Sequence, residues 1–286
     1  MIIRPSELPL GSPQCIYHLN LTPEQIGDII ILVGDPGRVN MISEKFDSVT
    51  VKVQNRELVT HTGLYHNKKL SVISTGMGAD NIDIVINELD ALANIDLATG
   101  KVKADHTSLT IVRIGTCGIL QPDIPLHSFI VSENAIGLDG VLRYYKHFDM
   151  SDELISSAFI EQAQWNTTLP YPYSFPADTD LLNKIGHDMV HGITATAPGF
   201  FGPQGRELRA PLAFPDYIEQ LASFRYNGKR IVNLEMECSA IYGLSKILGH
   251  KALTCCLGIA NRVTNEFSTD YKKAMGELID VVLQRI

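Results

Sequence analysis

The sequence predicts an α/β fold of one domain, in which helices cover the faces of a central β-sheet. Short, largely apolar runs rich in β-branched residues alternate along the chain with amphipathic helical patterns, and this order of elements is typical of α/β proteins. The chain also contains no internal repeat and no Pro/Gly/Ser linker of the kind that separates domains. We therefore expect a single domain over residues 1–286.

The strand predictions depend on five apolar runs. Each run is short and continuous, without the alternation of a half-exposed strand, so each is predicted to be buried on both faces of the sheet. The predicted strands are Ile29–Val33, Leu70–Ser74, Leu109–Arg113, Ser128–Val131 and Ala252–Leu257.

Three stretches have the apolar stripe of a helix that packs on a sheet. Asp80–Leu92 begins with a residue suited to capping, and Leu234–Leu248 is followed by Gly249, a suitable C-cap. Tyr271–Val282 gives the last helix. Residues 97–107 are predicted to form an exposed insertion, and the proline-rich residues 169–176 an extended loop.

Composition excludes several classes of protein. The net charge is −8, from 24 basic and 32 acidic side chains, and no basic run offsets it, so nucleic acid is not an expected partner. No apolar run has the length of a membrane span, so no membrane partner is expected either. The five cysteines are scattered and include no C-x-x-C, which argues against a disulfide framework and a zinc cluster. We expect a cytoplasmic, reduced protein.

Three glycine-containing stretches are predicted to be turns at the carboxyl ends of strands, where open α/β sheets bind ligands. Glycine lets backbone amides approach an anion, and Arg38, Arg113 and Thr116 add donors suited to an oxyanion such as phosphate. Neither the dinucleotide fingerprint nor the nucleotide-triphosphate P-loop occurs. The turns are Gly34-Asp-Pro-Gly-Arg38, Ser74-Thr-Gly-Met-Gly78 and Arg113-Ile-Gly-Thr-Cys-Gly118.

Two further stretches carry unusual polar groups. Glu235 and Glu237 flank Met236 at the predicted start of a helix, where acidic residues also serve to favour the helix dipole. A carboxylate accepts two hydroxyl protons at once, so the pair also suits a ribose diol. The stretch Gly199-Phe-Phe-Gly-Pro-Gln-Gly-Arg-Glu-Leu208 has aromatic rings, an amide and a guanidinium, which a connecting loop does not need.

Together these motifs resemble the nucleoside phosphorylase-I superfamily, and within it the branch that acts on uridine. The resemblance runs from about His18 to Arg262, and GDPxR, RIGT, NLEMECSA and the Phe…Gln-x-Arg loop occur in the family's order. It implies a mixed central sheet, distorted into a barrel and flanked by helices. The stretch Val141–Phe175 does not match closely.

The resemblance also implies the site residues. Phosphate would be bound by Gly34, Arg38, Arg113 and Thr116, with Arg56 added from a neighbouring subunit of a homo-oligomer. The ribose would be held by Glu237 and the Met236 backbone with Glu235 nearby, and by His18 reaching across from the neighbour. Phe200 would pack near the base, while Gln204 and Arg206 would read the uracil edge.

The implied reaction is attack of phosphate on ribose C1′ of uridine, which gives uracil and ribose 1-phosphate. Gln204 and Arg206 would stabilise charge on the leaving base. Purine-specific relatives carry an Asp where this chain has Asn261, which favours pyrimidines. The family includes dimers and hexamers, and the order of preference among uridine, deoxyuridine and thymidine is left open.

No cofactor is expected, since phosphate is a co-substrate, although some relatives bind a monovalent cation at the subunit interface near the position of Glu57. His187 and His191 have the spacing of two metal ligands on one helix, but no third ligand is evident and no metal site is predicted. Three alternatives stay open: a purine nucleoside phosphorylase, a hydrolytic nucleosidase of the same fold, and a non-catalytic nucleoside-binding protein.

Overall fold

Strands and helices alternate along the chain and build one large mixed sheet. The computed structural model describes residues 2–11, 15–146 and 150–286. The strands are β1 Ile29–Val33, β2 Ser48–Asn55, β3 Leu58–Tyr65, β4 Lys68–Ser74, β5 Ile95–Asp96, β6 Lys101–Val102, β7 Thr110–Ile119, β8 Phe129–Gly137, β9 Tyr173–Pro176, β10 Val190–Thr196, β11 Arg225–Tyr226, β12 Lys229–Glu235, β13 Lys251–Asn261 and β14 Glu266–Phe267. The helices are α1 Pro36–Ser43, α2 Ala79–Asn94, α3 Glu153–Gln162, α4 Thr179–Ile185, α5 Tyr217–Ser223, α6 Cys238–Leu248 and α7 Lys272–Arg285.

Five strands close on themselves into a barrel. The sheet order β12-β10-β8-β13-β7 returns to its start because β7 also pairs with β12, with Asn233 opposite Ile119 and Leu234 opposite Gly118. Parallel pairs (β10 with β8 and β12, β13 with β7) and antiparallel pairs (β13 with β8, β12 with β7) both occur in the ring. The predicted mixed, barrel-like sheet of a single-domain α/β fold is confirmed.

The sheet extends beyond the barrel through β1, β4, β3 and β2. β1 lies between two parallel partners, β4 and β7, which explains why its sequence is apolar without alternation. β2 lies at the edge of the sheet, and its residues alternate between exposed and half-buried, as expected for a strand with one solvated face.

The helices cover this sheet with the apolar faces that the sequence predicted. In α2 the stripe of apolar side chains is buried, namely Ile82, Val85, Ile86, Leu89 and Leu92. Helix α6 ends at Gly249, whose positive φ of 78° makes it the left-handed C-cap expected there. No helix among the described residues combines the length and the apolar character needed to cross a membrane.

Several local predictions were wrong. Gly78, rather than Asp80, occupies the N-cap of α2. Residues 233–235 end strand β12 instead of starting a helix, because their backbone continues the ladder with β10. Tyr173–Pro176 forms β9 rather than loop, since its side chains Tyr173 and Phe175 are buried against β8. Residues 97–107 are largely exposed as predicted, but they are not wholly irregular, because Lys101–Val102 forms β6 and pairs with β5, which lies just before the segment.

Candidate active site

The three glycine-containing stretches predicted to bind an anion belong to three neighbouring strands of the sheet, β4, β1 and β7. Gly34 follows β1, and an added Cβ there would lie 3.4 Å from the backbone oxygen of Gly76, so the turns after β1 and β4 lie side by side. The third stretch, Arg113–Gly118, is not a turn, because β7 continues to Ile119 in parallel register with β13. Thr116 is a half-buried residue of that strand, opposite Leu257.

Gly115 is required by a side chain rather than by a turn. An added Cβ at Gly115 would lie 2.1 Å from Nη1 of Arg113, because the guanidinium folds back over the strand at this position. Any other residue would displace Arg113. The Arg-Ile-Gly sequence therefore lets a buried cation lie against the backbone of β7.

Arg38 and Arg113 form a buried pair of cations. Both are almost fully buried, and Nη1 of Arg38 donates to the backbone oxygen of Ile114, the residue after Arg113. Burial and the charge of Arg113 lower the pKa of Arg38. Two close guanidinium groups repel one another, and a bound oxyanion would relieve that repulsion through charge-assisted hydrogen bonds.

Arg113 also joins this cationic region to the acidic pair. Nη2 of Arg113 donates to Oε2 of Glu237, and Nη1 lies 3.3 Å from Oε2 of Glu235 and donates to Sγ of Cys256 at 3.2 Å. Burial alone lowers the pKa of Arg113, but the carboxylates of Glu237 and Glu235 outweigh that effect and hold it above its usual range. The guanidinium is therefore cationic and fixed from three sides.

Glu235 supports the start of α6. Its carboxylate accepts the hydroxyl of Thr196 at 2.7 Å and the backbone amides of Glu237 and Cys238. Burial raises the pKa of Glu235, while the charge of Arg113 opposes that rise. Because its oxygens already accept these donors, Glu235 is placed to position Glu237.

Glu237 is the acidic side chain best placed to bind a diol. It is buried at the N-cap of α6, and its Oε1 accepts the backbone amide of Gly78 at 2.8 Å while Oε2 accepts Arg113. Each carboxylate oxygen retains a second lone pair for a hydroxyl donor. Met236, between the two glutamates, is half-buried.

The loop after β10 forms a compact unit around Arg206. Nη1 of Arg206 donates to Oε1 of Gln204 and to the backbone oxygen of Phe200, both at 2.6 Å. The guanidinium carbon lies 3.9 Å from the centroid of the Phe200 ring, a cation–π contact. Gln204 is buried and Phe200 is half-exposed, with 51% of its surface accessible. Burial, together with the charge of Arg262, lowers the pKa of Arg206 to about 10.

Arg262, which sequence reasoning did not assign to the site, anchors this loop. Its Nη1 donates to the backbone oxygen of Gln204 at 2.8 Å and its Nη2 to that of Gly205 at 3.2 Å. Arg262 follows β13 and lies beside β7, where an added Cβ at Gly118 would approach its Cγ to 3.3 Å. The sequence feature that could have indicated this role is an arginine directly after a buried strand.

Asn261, where purine-specific relatives would carry an acid, is committed to the backbone. Its Nδ2 donates to the oxygens of Gln121 and Ile124 at 3.0 and 3.1 Å, and its Oδ1 accepts the amides of Val263 and Thr264. Both ends of the buried amide are therefore in use. The side chain fixes the bend after β13.

His18 and Arg56 lie together, apart from the ion pairs around Arg113. Nδ1 of His18 contacts Oε1 of Glu88 at 2.6 Å. Glu88 is the tenth residue of α2, and a helix rises about 1.5 Å per residue. Glu88 is therefore about 14 Å along α2 from its first residue. Arg56 is exposed at the β2–β3 turn, 5.8 Å from the centroid of the Tyr17 ring.

The histidine pair considered as metal ligands does not share a helix, since α4 ends at Ile185 and His191 lies in β10. Among the described residues, Asp90, His106 and His250 bring potential ligand atoms within 4.8 Å of one another. However, Nδ1 of His250 accepts the Leu109 amide, which places the proton of the neutral ring on Nε2, the atom facing Asp90. That tautomer offers no lone pair to a metal.

The architecture matches that of known phosphorylases. The model of the phosphorylase superfamily matches residues 28–286. A uridine phosphorylase of Thermococcus kodakarensis is 32% identical over 265 residues, covering 92% of this chain and 83% of the relative. A DeoD-type purine nucleoside phosphorylase of Buchnera aphidicola is 24% identical, with 94% and 98% covered.

A solved structure shows the same fold. A Trypanosoma brucei nucleoside phosphorylase, described as showing uridine phosphorylase activity, superposes with a TM-score of 0.87 at 31% identity, covering 97% of this chain and 98% of that chain. The family model matches nearly the whole chain, which folds around a closed five-stranded barrel. This chain belongs to the phosphorylase superfamily.

Proposed function

We propose that this chain catalyses the phosphorolysis of uridine to uracil and ribose 1-phosphate. The observation that carries the proposal is the Arg113–Glu237 ion pair, in which a buried cation suited to phosphate contacts a carboxylate suited to ribose. The uridine phosphorylase of T. kodakarensis, at 32% identity, supports the choice of base.

Phosphate would bind between the turn after β1 and strand β7. Arg38 and Arg113 would supply charge, Thr116 a hydroxyl and Gly34 its backbone amide. Because Arg113 is held on its other side by Glu237, its position is fixed before the anion arrives. Such preorganisation avoids the cost of ordering a flexible cation on binding.

Glu237, with the Met236 backbone, would then hold the ribose 2′- and 3′-hydroxyls over the phosphate. A phosphate oxygen forms a bond to C1′ while the bond from C1′ to N1 of uracil breaks, and the bonding electrons leave with the base. Positive charge grows on the sugar, next to phosphate and Glu237. Uracil leaves as an anion and takes its proton from solvent.

Gln204 and Arg206 would stabilise the charge on the leaving base. Since Oε1 of Gln204 accepts Arg206, the Gln204 amide is oriented with its Nε2 donors away from Arg206. That leaves Nε2 to donate to a carbonyl of uracil and a second lone pair of Oε1 to accept an N–H of the base. Fixed donors aimed at developing charge are a large source of rate enhancement.

A panel of nucleosides, assayed with and without phosphate, tests the proposal. We expect uridine cleavage that requires phosphate and yields ribose 1-phosphate. Cleavage without phosphate would indicate a hydrolytic nucleosidase, and binding without turnover, seen by calorimetry, a nucleoside-binding protein. Cleavage of inosine or adenosine but not uridine would contradict the choice of base.

A purine nucleoside phosphorylase is the second candidate, because relatives of that activity cover 94% of the chain. The Asn261 contacts argue against it. A purine enzyme of the predicted kind needs a carboxyl group that can protonate the base, whereas Asn261 carries no acid and its amide hydrogens are both donated to backbone oxygens.

We further propose a homo-oligomer in which His18 and Arg56 of one subunit complete the ribose and phosphate sites of the next. Their contacts with Glu88 and Tyr17, away from Arg113, support this arrangement. Light scattering combined with activity measurements tests it. A fully active monomer would overturn both assignments.

The proposal includes no cofactor, and a monovalent cation near Glu57 is its open element. The Glu57 carboxylate is exposed, and its Oε1 lies 3.5 Å from Nδ2 of Asn81. One carboxylate does not fill the coordination of an alkali cation, so the fit depends on oxygen ligands from a neighbouring subunit. Comparison of activity in potassium and tetramethylammonium salts tests this element.

A further inference from the structure

An apolar cleft lies behind the loop that carries Gln204 and Arg206. Its volume is about 290 Å³, and apolar side chains and prolines form most of its wall. Gly202 and Pro203 of the loop form one side, and Trp165 and Tyr217 form another. An apolar cavity of about 150 Å³ is sufficient to bind benzene, so this cleft has room for a molecule of two rings.

Tyr217 gives the cleft a polar group. The residue is only 7% exposed, and its hydroxyl has no hydrogen-bond partner among the described residues. Burial raises the pKa of Tyr217, which keeps the hydroxyl protonated as a donor. A ligand that covers this hydroxyl removes it from water, so an acceptor on the ligand would keep it hydrogen-bonded whereas a purely apolar ligand would leave it unpaired.

The cleft is also in contact with the base-reading loop. Gly205, between Gln204 and Arg206, packs on the start of α5, where an added Cβ would lie 2.7 Å from Ile218 and 3.7 Å from the Tyr217 ring. A ligand against Pro203 and Tyr217 therefore touches the support of both base-reading side chains.

We propose that this cleft is a second binding site, for an uncharged apolar molecule of one or two rings with one hydrogen-bond acceptor directed to the Tyr217 hydroxyl. Occupancy fills the space behind the loop and alters the affinity for the nucleobase. Binding at the cleft is independent of the function proposed above, whereas the effect on the nucleobase rests on it.

Trp165 makes the binding test direct. It is the single tryptophan of the chain, it lines the cleft, and its indole N–H donates to the Pro170 oxygen at 3.0 Å. The one indole resonance in a proton–nitrogen spectrum therefore reports on the cleft without assignment. 1-Indanone, a two-ring ketone, is the probe, and indane, the same skeleton without the acceptor, is its control.

We expect saturable shifts of the indole resonance with 1-indanone and binding about tenfold weaker with indane. Tyr217→Phe should bring the two affinities together, and Ala213→Leu, which fills the cleft, should weaken both. Leu154→Ala, at a position that is 70% exposed, is the matched control and should change neither. No saturable shift in the wild-type protein, or equal affinities for the two probes, would overturn the proposal.

The effect on the nucleobase is measured separately. Saturating 1-indanone should change KM for uridine and leave KM for phosphate unchanged. An unchanged KM for uridine would overturn the coupling. An enzyme without uridine activity but with the expected indole shifts would contradict the proposed function and leave the second site standing.

Discussion

The guanidinium of Arg113 donates a hydrogen bond to the carboxylate of Glu237, and both side chains are buried. Arg113 belongs to strand β7, and Glu237 precedes helix α6. Glu237 also accepts the amide of Gly78, at the start of α2. One ion pair therefore fixes three elements of the candidate site relative to one another.

Glu237→Gln should reduce kcat/KM for uridine by about two orders of magnitude, because the ribose loses a charged acceptor and Arg113 loses its anionic partner. Arg113→Ala should be more disruptive to the fold and cost about 3–5 kcal/mol of unfolding free energy, since it leaves Glu237 buried without its cation. Kinetics and urea denaturation measure the two effects. Wild-type activity of Glu237→Gln would contradict its role at the ribose.

Arg262→Met should raise KM for uridine by about tenfold and leave KM for phosphate unchanged. The substitution keeps an unbranched, flexible stem but removes the guanidinium and with it both hydrogen bonds to the loop oxygens of Gln204 and Gly205. Initial rates with each substrate varied in turn measure the split. Equal changes in both constants would show a general loss of structure.

Arg206→Ala should remove most activity on uridine, by a factor of about 100 or more, because the leaving base loses its stabilising cation. Arg206→Lys is the informative companion, since lysine keeps the charge but not the planar fork that holds Gln204 and Phe200. Steady-state kinetics of both variants test the role. Near-normal kcat/KM in Arg206→Ala would refute it.

The sequence was sufficient for the sheet strands that are buried on both faces, because continuous apolar runs such as Ile29–Val33 are typical of such strands. Two segments were predicted wrongly. The acidic residues near 233–235 are typical of a helix start, and the glycines of 113–118 are typical of a turn, but both segments are strands. There the tertiary context decides: β12 continues its ladder with β10, and Gly115 accommodates the Arg113 side chain.

The candidate site could likewise be predicted only in part from the sequence. Arginines near glycine-rich stretches and the Glu-Met-Glu sequence were visible as local patterns. The supporting contacts were not, because they join residues far apart in the chain, such as Thr196 with Glu235 and Arg262 with Gln204. Only the folded sheet brings these pairs together.

Asn261→Asp should not create purine activity and should destabilise the fold. A carboxylate at this position would face the backbone oxygens of Gln121 and Ile124, which now accept the amide hydrogens. Two buried acceptors would lose their donors, at a cost of about 1–3 kcal/mol each. Thermal unfolding and an inosine assay measure the outcome, with Asn265→Asp, at an exposed turn, as the control. Inosine cleavage by a stable Asn261→Asp variant would contradict this account of the residue.

Tyr145 should make stability fall at high pH. Its hydroxyl is partly buried, donates to Asp83 and accepts Nδ2 of Asn87 at 3.0 Å. Burial, followed by the hydrogen bond and charge of Asp83, raises the pKa of Tyr145 from its ordinary value of 10.0 to about 12.

A raised pKa means that the folded state holds the proton more tightly than the unfolded chain. The Tyr145 contribution is therefore complete below pH 10.0 and is lost as the pH rises through about 12. After allowance for solvent screening, the loss amounts to about 1 kcal/mol. Urea denaturation of wild type and Tyr145→Phe at about pH 9 and about pH 11 isolates this contribution. We expect the wild-type protein to lose more stability between the two pH values than the variant, and equal losses would exclude Tyr145 as the titrating group.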